Sequence, residues 1–120
     1  DPAIGVPDHY HICVKKHGKM YLFTACTSQI DTIYRYLSHS GTDPNTIPCL
    51  SPNVGNGFRV LTFVNCNQVY ECESGEMVDE IRSGRVRKEE GNLSEEEMLM
   101  LVKGIRLSRT VSDDIKSLFG

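Results

Sequence analysis

The sequence predicts an α+β fold of two layers, in which an antiparallel sheet made of two hairpins packs against helices. Two pairs of short apolar stretches, each pair joined by a brief polar link, indicate the hairpins, and other segments carry apolar residues at helical spacing. The predicted order is ββα, a long loop, then ββαα. A chain of 120 residues can bury one such core, so residues 1–120 are expected to form a single domain.

The first hairpin is predicted from two alternating stretches. In HYHICVKK, Tyr10, Ile12 and Val14 alternate with more polar residues, and KMYLFTA alternates in the same way after an HG link. Alternation with period two is typical of a half-buried strand, and so short a link favours antiparallel pairing. Residues 1–8, punctuated by proline and glycine, are expected to form an extended arm.

A helix and a long loop are expected next. One helical face collects Ile30, Ile33, Tyr34 and Leu37. Thr27 or Ser28 is the predicted N-cap, and Gly41 is the predicted stop. Residues 42–57 are rich in proline, asparagine and glycine, which predicts a long loop of the kind that is either functional or mobile.

The second half is predicted to begin with another hairpin, FRVLTFVN and QVYECES, linked through Asn65, Cys66 and Asn67. GEMVDEIRSG then indicates a short helix that ends at Gly84. Residues 94–119 are predicted to be a C-terminal helical segment. It opens with a capping box, in which Ser94 is the N-cap and Glu97 is the third helical residue.

Composition limits the classes of partner. The net charge of −3 does not favour non-specific binding to nucleic acid, and no apolar run is long enough to span a bilayer, so membrane contact is expected to be peripheral at most. Five cysteines, an odd number without a CxxC pair, favour reduced thiols and a cytoplasmic location. The triplet Asn92-Leu93-Ser94, a possible glycosylation acceptor, is the one signal against that location.

Cys26 is the candidate for thiol chemistry because it lies where a strand passes into a helix. A helix N-terminus would lower the pKa of the thiol and favour the thiolate. His39 is at the far end of the same helix and cannot be its partner, whereas His9, His11 or His17 could lie near it. The favoured interpretation is a half-buried cysteine that behaves as a small apolar residue.

The sequence does not predict a metal site. His9, His11 and Cys13 can share one face of the first strand, but neighbours on a strand face are about 6–7 Å apart. Ligands of zinc must converge to about 2.0–2.3 Å from one ion. A solvated strand face is therefore favoured, and no metal or cofactor is predicted.

Two groups of residues are predicted to bind partners. Arg82, Arg85, Arg87 and Lys88 form a basic cluster that could meet phosphate, an anionic lipid or an acidic protein, although a solvated turn is the simpler interpretation. The C-terminal segment carries more apolar residues than one sheet face needs. Met98, Leu101, Leu118 and Phe119 are therefore predicted to contact another protein or a second copy of the chain.

Two resemblances to known families accompany these patterns. LTFVNCNQVYECESGEMVDEIRSGRV, from Leu61 to Val86, is similar to the end of glutaredoxin-like domains, where a strand, a tight turn, a second strand and a helix closing in SG follow one another. YLFTACTSQIDTIYRYL resembles that family's first strand, active-site loop and helix. The resemblance implies a degenerate thiol or redox protein centred on Cys26, which lacks the second cysteine of a CxxC. The order of elements is also similar to longin-type trafficking domains, which implies a fold alone.

We favour a non-catalytic protein–protein interaction module, forming part of a larger or multi-subunit protein. The grounds are the long loop and the apolar surplus of the C-terminal segment. The alternatives are a glutaredoxin-like thiol protein using Cys26, and a domain that binds anionic lipid or phosphate through residues 82–88.

Overall fold

In the part of the chain that the structure describes, four strands form one antiparallel sheet, and four helices accompany it. A computed structural model describes residues 10–84 and 91–120. The strands are β1 (Tyr10–His17), β2 (Met20–Thr27), β3 (Cys49–Leu50) and β4 (Thr62–Glu73), and the helices are α1 (Ile30–Ser40), α2 (Ser74–Ser83), α3 (Glu95–Leu107) and α4 (Asp113–Ser117). The strand order is β1-β2-β4-β3. The α+β class with an antiparallel sheet is confirmed, and the arm predicted at 1–8 lies outside the described residues.

The first hairpin forms as the alternation predicts. β1 and β2 pair from Tyr10 opposite Cys26 to His17 opposite Met20, with one bulge in β1. Gly18 makes the turn at a φ of 61°, which glycine adopts without steric cost. The inward residues of β2 are buried, whereas the outward residues, such as Tyr21 and Phe23, are only half-buried.

The prediction of a second hairpin is wrong, because residues 62–73 form a single strand of 12 residues. Between Phe23 opposite Tyr70 and Ala25 opposite Asn65, β4 advances by five residues while β2 advances by two. The asparagines that predict a turn therefore mark a bulge. Asn67 is buried there, and its Nδ2 donates to Thr46 Oγ1 at 2.8 Å. The glutaredoxin resemblance implies two strands and a tight turn at this place, and the structure has one strand.

Helix α3 packs across the inner face of the sheet at this bulge. The core it completes contains Val14, Leu22, Cys26, Leu50, Val64, Cys66, Leu101, Ile105 and Val111. Gly104 permits the close approach, since a Cβ at this position would lie 2.9 Å from Cys66 Sγ. The predicted capping box is present, with Ser94 and Glu97 bonding each other's backbone N–H.

The predicted long loop, 42–57, contains more structure than its composition indicates. A 3-10 turn covers Pro44–Thr46, and β3 pairs Leu50 with Thr62 of β4. The Asp43 side chain starts the turn by accepting a hydrogen bond from the backbone N–H of Asn45 at 2.8 Å. The remaining part, from residue 51 onward, has no regular secondary structure.

Helices α1 and α2 lie on the surface and pack lightly against the other described elements. Ile33 is the one buried residue of α1, and α2 has none. The predicted stops are confirmed, because Gly41 and Gly84 both adopt the left-handed conformation. Helix α1 begins later than predicted, with Gln29 as its N-cap. Within the described ranges, no helix combines the length and the apolarity that a bilayer crossing requires.

Candidate functional site

Residues 51–58, which we call the braced loop, are held by two asparagines that bond each other's backbone. The backbone N–H of Asn56 donates to Asn53 Oδ1 at 2.7 Å, and the N–H of Asn53 donates to Asn56 Oδ1 at 3.2 Å. Asn56 Oδ1 also accepts from the N–H of Phe58 at 3.0 Å. Asparagine side chains stabilise turns in this way because they imitate a backbone carbonyl.

The carboxylate of Glu97 ties the braced loop to the start of α3. Its Oε2 accepts from Asn56 Nδ2 at 2.8 Å and from Asn53 Nδ2 at 3.2 Å. We call these two bonds the Glu97 latch. The other carboxylate oxygen of Glu97, Oε1, accepts from the backbone N–H of Ser94 at 2.8 Å, within the capping box. One buried carboxylate therefore caps a helix and fixes a loop 41 residues away in sequence.

The surroundings of Glu97 favour its ionised form. Burial alone would raise the pKa of the carboxyl group. Hydrogen bonds from the Ser94 backbone and from the side chains of Asn56, Ser94 and Asn53 outweigh that effect and lower the pKa. A negative charge near the N-terminus of α3 also suits the helix dipole. The latch is therefore closed at neutral pH.

The segment before α3 completes the support of the braced loop. The backbone N–H of Asn92 donates to the carbonyl of Gly55 at 2.8 Å. A Cβ on Gly91, whose φ is 123°, would lie 2.6 Å from the carbonyl oxygen of Asn56. Glycine is required at this position both by the backbone conformation and by the space.

Apolar side chains project from this fixed backbone into solvent. Val54, at the tip of the braced loop, is fully exposed, and Val60 and Leu61, which follow the loop, are 55% and 52% exposed. A single exposed valine is ordinary on a protein surface. Here three exposed branched apolar residues fall within eight positions of the chain, and the first of them stands on a loop fixed by hydrogen bonds.

The apolar residues predicted to bind a partner lie mostly against the core. Leu101 is fully buried, so it takes no part in a surface. Met98, Leu118 and Phe119 are partly buried and pack on the core cluster. The Phe119 carbonyl also accepts a hydrogen bond from Arg106 at 2.6 Å, which fastens the C-terminal end to α3. The exposed apolar residues of α3 are instead Leu99, Met100 and Leu107.

The basic cluster is described only at its first member. Arg82 is exposed in the last turn of α2, where a cation suits the helix dipole. Arg85, Arg87 and Lys88 lie outside the described residues. The structure therefore does not test whether these four residues form the predicted basic cluster.

Cys26 is in a different environment from the one that thiol chemistry requires. It faces the core from β2, and its Sγ lies 3.3 Å from the carbonyl oxygen of Tyr10, to which it donates. Burial raises the pKa of this thiol to about 12. The expected lowering of the pKa is therefore wrong, because α1 begins only at Ile30 and desolvation dominates.

We expect Cys26 and Cys66 to resist alkylation in the folded protein at about pH 8, since burial raises the pKa of each thiol to about 12. Cys49 is exposed and should react first. Mass spectrometry of peptides after timed exposure to iodoacetamide measures each rate. Cys26 reacting as fast as Cys49 in the folded chain would contradict this assignment.

The histidines on β1 do not assemble a metal site. The His11 ring meets the Tyr70 ring edge to face, with centroids 5.4 Å apart. Among the residues that the structure describes, no group of three or more histidine, cysteine and acidic side chains could hold an ion. His9, the remaining ligand candidate, lies outside the described ranges.

The sequence does contain signals for the braced loop, but they are indirect. Asn53 and Asn56 stand three residues apart in a loop rich in proline and glycine, which is a pattern typical of side chains that stabilise turns. The capping box identifies Glu97 as a helix residue and gives no sign that its second oxygen serves a distant loop. Val54 is the one branched apolar residue between Ser51 and Gly57, and the sequence analysis assigns it no role.

Comparison with known proteins adds no family assignment, since no family model, curated protein or solved structure matches the chain.

Proposed function

We propose that this chain is a non-catalytic protein–protein interaction module that contacts its partner through the braced loop and the two apolar residues after it. The observation that carries the proposal is the full exposure of Val54 on a backbone held by the Glu97 latch. Ordering a loop costs about 1–2 kcal/mol per residue in conformational entropy. If the loop is already ordered before the partner binds, binding carries less of this entropic cost.

Neither edge of the described sheet favours the addition of a strand from a partner, so the proposed interaction uses side chains. β1, at one edge of the described sheet, carries a bulge and the charged residues Lys15 and Lys16. β3, at the other edge, has two residues and lies between Pro48 and Pro52. Bulges, charges, prolines and short length all discourage the addition of a strand. The partner is accordingly a protein with an apolar concavity for Val54, and strand addition is not required.

The cytoplasmic location stays part of this proposal. All five cysteines are free thiols, and two of them, Cys13 and Cys49, are exposed. Exposed thiols persist in a reducing compartment. Membership of a larger or multi-subunit protein is also retained, since a second copy of the chain could supply the concavity.

A peptide selection with matched variants tests the proposal. Random peptides of about twelve residues, displayed on phage, are selected on the wild-type chain and then tested on Val54→Ser and Val78→Ser. Val78 is a half-exposed valine of α2, distant in sequence from the braced loop, so its replacement removes a similar surface. We expect peptides whose binding falls about tenfold or more with Val54→Ser and stays unchanged with Val78→Ser.

Selected peptides that bind both variants equally well would contradict the proposal, as would a selection that yields no binder. Sedimentation of the wild-type chain at increasing concentration distinguishes the two kinds of partner. Association that Val54→Ser abolishes identifies a second copy of the chain as the partner, and a monomer identifies a different protein.

A further inference from the structure

Asn56 is followed by Gly57, and this is the one Asn-Gly pair in the sequence. An asparagine in this context can lose its amide, because glycine has no side chain to hinder the attack of its backbone nitrogen. The Gly57 nitrogen bonds to Cγ of Asn56 and gives its proton to solvent, and the side-chain nitrogen leaves as ammonia. Water then opens the cyclic imide at one of its two C–N bonds, which yields aspartate or isoaspartate.

The folded structure opposes each part of this reaction. Asn56 is 6% exposed, and its Nδ2 donates to Glu97 Oε2 at 2.8 Å and to the carbonyl of Ser51 at 2.9 Å. The attacking nitrogen of Gly57 is itself engaged, donating to the carbonyl of Asn53 at 3.3 Å. The side chain cannot turn toward Gly57 without breaking the latch, so the reaction has to proceed from a locally opened loop.

The product cannot re-form the latch. An aspartate at position 56 places a carboxylate oxygen where the donor now stands, 2.8 Å from Glu97 Oε2. Two carboxylates at that distance repel each other, and the carbonyl of Ser51 also loses its donor. We propose that Asn56 is a deamidation site protected by the Glu97 latch, and that its conversion releases the braced loop irreversibly. If the proposed function holds, this conversion also ends loop-dependent binding.

The rate of conversion at each asparagine tests the protection. Wild type, Glu97→Gln and the matched control Glu96→Gln are incubated folded at physiological pH and temperature, and wild type is also incubated unfolded in urea. Peptide mass spectrometry follows Asn56, with Asn53, which precedes the branched Val54, as an internal reference. We expect Asn56 to convert about tenfold faster in Glu97→Gln than in wild type or Glu96→Gln, and fastest in urea. Asn53 should stay slow throughout.

Folded wild type converting Asn56 as fast as the unfolded chain would overturn the proposal, and so would equal rates in wild type and Glu97→Gln. Asn53→Ala removes one bond of the latch and the acceptor of the Asn56 N–H, and it leaves the capping box intact, which supplies a second opening variant if Glu97→Gln does not fold. Asn56→Asp imitates the product, and its Phe58 amide should lose protection from hydrogen exchange. Unchanged protection would refute the release. These measurements contain no partner, so their outcome is independent of the peptide selection.

Discussion

Replacement of Leu101 by alanine is expected to lower the free energy of unfolding by about 2–5 kcal/mol. Leu101 is fully buried at the centre of the core between α3 and the sheet, so the substitution removes buried apolar surface and leaves a cavity. Urea unfolding followed by circular dichroism measures the change. A loss this large would place Leu101 among the core residues and outside any binding surface.

Leu99→Ala is the matched control for this prediction. Leu99 lies in the same helix and is 62% exposed, so its truncation should change the free energy of unfolding by no more than about 0.5 kcal/mol. Comparable effects of the two substitutions would mean that α3 packs on the sheet through a different face from the one described.

Glu97→Gln is expected to lower the free energy of unfolding by about 2 kcal/mol at neutral pH, because hydrogen bonds to a buried charged acceptor are lost or weakened. The amide NH₂ group of glutamine would also oppose one of the donors that now face the carboxylate, those of Ser94, Asn53 and Asn56. Glu96→Gln, an exposed neighbour, should change stability by about 0.5 kcal/mol or less.

The pH dependence of that loss identifies its cause. The pKa of Glu97 is lower in the folded protein than its ordinary value of 4.5. Its contribution is therefore complete above about pH 4.5 and is lost as the pH falls through the folded pKa. The difference in stability between wild type and Glu97→Gln should hold from about pH 7 to about pH 4.5 and shrink as the pH falls further. A constant difference would show that ionisation of Glu97 is not what closes the latch.

The local patterns in the sequence predicted the elements whose stability is local. The β1–β2 hairpin, the Ser94–Glu97 capping box and the glycine stops at Gly41 and Gly84 depend on residues close together in sequence, and all are present. An irregularity at Asn65–Asn67 was predicted at the right place, but as a turn between two strands and not as a bulge within β4. Whether Asn65–Asn67 turn the chain or bulge it is decided by Thr46 and α3, which are far away in sequence.

The candidate site was less predictable for the same reason. Residues 42–57 were predicted to form a long loop of the kind that is either functional or mobile. The hydrogen bond between this loop and Glu97 spans 41 residues of sequence, and no periodic pattern indicates such a pair. The apolar surplus of α3 was noticed, but its division between core and surface follows from how the helix is turned on the sheet. Leu101 therefore lies inside and Leu99 outside, although both belong to the apolar surplus of the C-terminal segment.

The affinity of a Val54-dependent peptide for wild type and for Glu97→Gln, measured by isothermal titration calorimetry, tests the central claim most directly. The central claim is that the latch holds the loop ready for a partner. Glu97→Gln keeps Val54 and removes the restraint, so we predict that it binds the peptide about tenfold more weakly than wild type, with a more unfavourable entropy. Equal affinity and equal entropy for the two proteins would contradict the account.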